Sequence, residues 1–99
     1  MPAQLGALAD PTRWQILQLV GDRPRSASAL ARELPVSRQA IAKHLELLAA
    51  LDLVEREPVG TEVRYVASGA ALKGLAEQLA AIGRTWDRRL AAIKHAAEA

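Results

Sequence analysis

Four side chains near the middle of the chain could read DNA. Arg38, Gln39, Ala42 and Lys43 follow closely after Ser37. At 100° per residue they share one side of a helix with Glu46, while Ala40, Ile41, His44, Leu45, Leu47, Leu48 and Leu51 take the other side. An arginine suits guanine O6 and N7, and a glutamine suits adenine N6 and N7. Helix-turn-helix readers present such residues from the first turns of one helix to the major groove. Ser37 is a good N-cap, because its hydroxyl can accept from a first-turn backbone N–H. The same pattern also fits a solvated amphipathic helix, so the surrounding elements must decide.

Other chemistries find little support. The chain has no cysteine, which excludes disulfides, thiolate nucleophiles and cysteine metal sites. His44 and His95 are far apart and no glycine-rich phosphate loop is present, so no nucleophile–base pair suggests itself and an enzyme is not expected. Ser26, Ser28 and Ser37 are explained as helix caps. His44, centred on the apolar face, reads as a core residue with one hydrogen bond; a pH switch is the sharper alternative. Trp14 and Trp86 read as core or interface residues, with Trp86 the candidate dimer anchor.

Ninety-nine residues make one domain, 1–99, with a modest core. Hydrophobic residues are 51% and aromatics 3%, so that core must be aliphatic. A net charge of +2 permits nucleic-acid binding without demanding it. No leader pattern and no bilayer-length apolar run is visible, so a cytoplasmic protein without a membrane segment is expected.

Several elements must position the central helix. Residues 1–9 suggest a short helix through Leu5 and Leu8. Asp10-Pro11 is a strong start for a second helix, running to about Val20 with Trp14, Ile16, Leu17 and Val20 inward. Residues 21–25 break it. Ser26 or Ser28 caps a third helix with Ala27, Leu30, Ala31 and Leu34 inward. Pro35 and Val36 then force a tight joint to the recognition helix, about residues 37–50. Asp52 is expected in the left-handed conformation after that helix. The period next changes to two: Leu53–Arg56 and Val63–Val66 read as strands, and residues 57–62 as their turn, giving a wing over about 53–66. Ser68 caps a last helix to about His95. In it Leu72, Leu75, Leu79, Ile82, Trp86, Leu90 and Ile93 recur near coiled-coil spacing, a seam that calls for a second copy, with folding back on its own domain as the alternative. The fold class is therefore mainly α with one β-hairpin: a winged helix-turn-helix of about five helices with a long C-terminal dimerisation helix.

The residues also carry a family likeness. Leu8-Ala9-Asp10-Pro11-Thr12-Arg13, Ile16-Leu17, Leu30-Ala31, the run from Leu34 to Ala40, Lys43-His44-Leu45 and Leu53-Val54 closely resemble the ArsR-type bacterial transcriptional repressors, over roughly residues 5–95. Trp86-Asp87-Arg88-Arg89-Leu90 resembles a branch of that family without known metal sites. The resemblance implies a homodimer held by the first and last helices, through Leu5, Leu8, Leu72, Leu75, Leu79, Ile82, Trp86 and Leu90. It implies double-stranded DNA as partner, a palindromic operator read by Ser37, Arg38, Gln39, Ala42 and Lys43, with Arg56 and Arg64 as wing contacts. It also implies relief of repression by an inducer that the sequence does not name.

There are departures. Thr61 and Glu62 follow Gly60 where the family often has a basic residue, and Glu55 and Glu57 stand nearby. Ala42 occupies a position where serine is frequent; its methyl could meet a thymine methyl. The metal-sensing cysteines are replaced by Glu33-Leu34-Pro35-Val36. Asp87 lacks its following histidine, and His95 and Glu98 come too soon for the other family metal site, so no metal or cofactor is expected.

The expected function is a dimeric, sequence-specific DNA-binding repressor. The alternatives are a winged-helix protein-interaction module without DNA binding, or a repressor sensing a small molecule or metal at the last helix. Arg13, Arg23 and Arg25 are further phosphate candidates, Arg13 with a structural role as its alternative.

Overall fold

A computed structural model describes residues 3–98. Helix α1 covers Ala3–Ala7; the helix expected over residues 1–9 begins at Met1 and Pro2, which lie outside the described residues, as does Ala99. Helix α2 is Pro11–Asp22, with proline in its first turn. The Asp10 carboxylate accepts from the N–H groups of Thr12, at 2.9 Å, and Arg13, at 3.1 Å. Those bonds, the Arg13 amide foremost, hold the Asp10 carboxyl below the usual carboxylate range.

Helix α3 is Ala27–Glu33 and helix α4 is Arg38–Ala50. Of the two serines that could cap α3, Ser26 does so, accepting from Ala29 N–H at 3.1 Å. Ser37 caps α4 through Ala40 N–H at 3.2 Å. The far end of α4 is closed by two crossed bonds: Leu53 N–H donates to Leu48 at 2.9 Å and Asp52 N–H to Ala49 at 3.0 Å. Asp52 has φ of 60°. This is the Schellman arrangement, with Leu48 and Leu53 both fully buried as its apolar contact.

The sheet is larger than the expected hairpin. Strands β2 (Val54–Val59) and β3 (Glu62–Ala67) are antiparallel, and a third strand β1 (Arg25–Ser26) pairs with the other edge of β3. The strands close on the two-residue turn Gly60-Thr61, with positive φ at Gly60 alone, as a type II′ turn requires. Pro58, expected in the turn, lies within β2. Because β2 is an edge strand, the missing N–H there breaks no interior ladder.

Helix α5 spans Gly69–Glu98, 30 residues or about 45 Å. Ser68 caps it, accepting from Ala71 N–H at 3.3 Å. The core is aliphatic: Ile16, Leu17 and Val20 of α2, Leu30 of α3, Ile41, Leu45 and Leu48 of α4, Leu53, Val54 and Leu75. Two expectations need correcting. Trp14, expected inward, is 49% exposed, because α2 turns Ile16, Leu17 and Val20 to the core instead. Leu47, placed on the apolar face of α4, is also exposed, at the edge of the buried stripe.

Candidate nucleic-acid interface

The outward face of α4 borders a groove of about 680 Å³. Arg38, Gln39 and Ala42 form one wall; Thr61, Glu62, Val63 and Tyr65 of the wing form the other. Ser26, Ala27, Ser28 and Arg32 line it from the α3 side. Arg38 and Gln39 are exposed. The α4 helix is held from behind by Ile41, Leu45 and Leu48, which admit no solvent. A rigid rod thus presents two long hydrogen-bonding side chains and one methyl to a concave surface.

The remaining expected residues do not all meet there. Ser37 caps the helix. Lys43 faces a second, shallow hollow beside Glu46, Leu47 and Arg56. Arg64 lies elsewhere again. Arg56 pairs with Tyr65 and Arg64 with Glu57 across the ladder. Neighbours along a strand point to opposite faces, so the two wing arginines project from opposite faces of the sheet. Arg64 shares its face with Glu55, Glu57 and Glu62, and its Nε lies 3.3 Å from Glu62 Oε2. Arg56 shares its face with Val54, Pro58, Val63, Tyr65 and Ala67, and with Arg25 of β1 across Tyr65.

Three other arginines are engaged within the fold. Arg13 Nε donates to Ala7 carbonyl at 2.6 Å, and its Nη1 is 3.9 Å from Asp10 and 3.5 Å from His44 Nδ1. Arg13 therefore has the structural role, and His44 is half-buried, its ring nitrogen facing that guanidinium. Arg25 is 8% exposed; it donates to the Leu19 carbonyl, and its Nε makes a close ion pair with Glu33 at 2.8 Å. Arg23 reaches Glu33 at 4.0 Å but stays largely exposed. Arg13 and Arg25 thus have partners within their own protomer.

Sequence reasoning missed Ser28, Arg32, Thr61 and Tyr65. A signal existed for two of them: Ser28 and Arg32 are four apart, on one outward stripe of α3.

A second surface lies at the other end of the molecule. Leu5, Leu8, Trp14, Leu72, Leu75 and Leu79 line an almost wholly apolar recess of about 370 Å³. Leu75 is already buried in the protomer's own core, and Leu5, Leu8 and Leu72 are half-buried against it. Beyond them Leu79, Ile82, Trp86, Leu90 and Ile93 run along α5, each between 50% and 64% exposed. Arg89 lies 5.4 Å from the Trp86 ring centroid, a cation–π contact. The helix does not fold back on its own domain. Among the described residues no group of three or more His, Cys, Asp or Glu could hold a metal ion, and no helix is long and apolar enough to cross a membrane.

A family model described as a helix-turn-helix domain matches residues 8–57. The structure is similar to that of an ArsR-like transcriptional regulator from Rhodococcus sp. RHA1, with TM-score 0.77 and 57% identity over 94% of this chain and 89% of that one. The chain belongs to the ArsR family of transcriptional regulators. An HTH-type transcriptional regulator of Mycobacterium tuberculosis is 39% identical over 85% of this ArsR-family chain and 76% of its own length. The homodimeric winged helix-turn-helix DNA-binding domain of a possible ArsR-family regulator from Mycobacterium bovis superposes with TM-score 0.67 at 28% identity, covering 83% of this chain and 77% of that one. Recognition helix, wing and long last helix thus make this ArsR-family member a winged helix-turn-helix transcriptional regulator.

Proposed function

We propose that this ArsR-family protein is a homodimeric repressor that binds a palindromic operator, each copy forming one domain over residues 1–99. The carrying observation is the groove beside α4, where Arg38, Gln39 and Ala42 stand exposed opposite the wing. Two such helices, related by a twofold axis, would enter successive major grooves about 34 Å apart. Arg38 and Gln39 read base edges, Ala42 meets a thymine methyl, and Lys43 and Arg56 neutralise backbone charge near their shared hollow. Bound there, the dimer excludes polymerase. A chromosomal target puts it in the cytoplasm.

The dimer reading is supported by the uncovered apolar surface. Five large apolar side chains in a row on α5 are unusual for a solvent-facing helix. Leu79, Ile82, Trp86 and Leu90, with Leu5, Leu8 and Leu72 at the recess, would be covered by the same surface of a second copy. Trp14 joins this set because it lines the recess. Leu75 contributes mainly within its own protomer.

Footprinting on the protein's own upstream region tests the proposal. Two protected half-sites one helical turn apart are expected. A single unpaired footprint, or none, would sink it. An interaction module without DNA binding is the weaker reading, because the outward face of α4 is neither acidic nor apolar.

A further inference from the structure

A smaller recess of about 320 Å³ lies between α3, β1 and the outer face of the wing. Arg23, Arg25, Arg32 and Arg64 line it, against Glu33 and Glu62. Arg25 is committed to Glu33 and to the Leu19 carbonyl. Arg32 has no ion-pair partner among the described residues. Arg64 is held only by Glu62, a contact between two half-exposed side chains that solvent screens. Arg32 and Glu62 also line the groove beside α4, so the recess opens directly off that groove.

We infer that this recess takes one backbone phosphate of bound duplex, held by Arg32 and Arg64 with Arg23 at the rim, and that the Glu62 carboxylate occupies Arg64 until the phosphate replaces it. The inference rests on the DNA-binding reading above. A carboxylate and a phosphate offer a guanidinium the same paired oxygens, so one can stand in for the other. The exchange turns one of the wing's three glutamates, Glu62, from a repulsive charge into a placeholder for the anionic partner. Arg64 changes from an internal ion pair to a phosphate contact, and Glu62 is released to solvent at the mouth of the groove. A phosphate contact carries no base information, so the recess adds affinity and register without sequence preference.

The test uses the full chain and a mixed-sequence duplex of about 30 base pairs, with affinity measured against salt. Arg32→Ala/Arg64→Ala lowers the slope of log affinity on log salt by about 1 per bound protomer. Its affinity then falls about threefold less, per protomer, between 50 and 200 mM salt. Glu62→Gln frees Arg64 and tightens binding about threefold at 50 mM salt. Each variant is melted first; if the alanine pair melts lower than the wild type, Arg32→Gln/Arg64→Gln, which keeps the aliphatic stems, replaces it. A double variant with the wild-type slope, or a Glu62→Gln variant that binds more weakly, overturns the inference. A third arm adds inorganic phosphate against chloride at matched ionic strength. Phosphate competes for the same seat, so inhibition of the wild type that the double variant lacks is expected, and equal inhibition of both would overturn the inference. A wild-type protein that binds no duplex at any salt sinks the function itself. Wild-type binding with an unaltered slope in the double variant sinks only this inference.

Discussion

Helices α4 and α5 carry the same kind of apolar stripe and meet opposite fates. In α4, Ile41, Leu45 and Leu48 are wholly covered by α2, α3 and Leu53 of the same chain. In α5 only Leu75 is covered, and Leu79, Ile82, Trp86, Leu90 and Ile93 face outward. Periodicity announces that a face exists; what covers it depends on whether other elements of the chain lie within reach. Helix α4 sits in the middle of the chain with helices before it and a sheet after it. Most of α5 runs past the last of them, in a molecule 67 Å long and only 26 Å by 21 Å across.

Four measurements would break or sharpen that contrast. The largest effect is expected from Leu45→Ala, which opens a cavity behind the recognition helix and should cost about 2–5 kcal/mol of stability. Thermal melting that is unchanged would mean α4 is not held by its own chain. Next comes Leu79→Ala with Trp86→Ala. In a symmetric pair this removes four half-covered side chains, weakening self-association by roughly 3 kcal/mol while leaving the single protomer folded. Sedimentation at falling concentration reads this; a dimer as tight as the wild type would move the interface off α5. Arg38→Ala and Gln39→Ala should each lose about 1–3 kcal/mol of operator affinity, relaxing preference at particular base pairs without lowering the melting temperature. If sequence preference survives both changes, the outer face of α4 is not the reader.

The smallest effect concerns the cap that starts α2, beneath α4. The Asp10 carboxyl is held below its usual range, so its folded state favours the charged form. Its stabilisation is complete above the ordinary carboxylate value near 4 and is lost as pH falls through the lower folded value. Asp10→Asn, which keeps a capping oxygen but cannot titrate, should flatten this acid limb of the melting curve. A variant whose melting temperature falls with acid as steeply as the wild type would show that Asp10 is not the group responsible.

Much of this was legible from residue order. Asp10, Ser37 and Ser68 cap where their spacing implies, and Asp52 takes the left-handed position. Those features are local, decided by a few neighbouring backbone groups. The misses are long-range. Strand β1 has two residues and no period of its own; it exists because Tyr65 and Arg64 offer a free ladder beside it. Arg25 looks like a surface cation until Glu33 closes over it. Pro58 reads as a turn marker because proline disrupts interior strands, yet this strand has a free side. By composition Arg56 and Arg64 are equivalent, and only the pairing register assigns them to opposite faces. Trp14 reads as inward together with Ile16, Leu17 and Val20, yet it lines the recess near α5.

The free side of strand β2 has one more consequence. A ribbon that stands out from the body exposes a row of unsatisfied peptide groups, and such a border can template another chain and start a fibril. Here Pro58 withholds a donor in the middle of that border, and Glu55, Arg56 and Glu57 crowd it with mixed charge. An incoming segment would find the ladder interrupted and its own side chains facing ions. The ribbon can therefore extend into solvent without seeding its own precipitation.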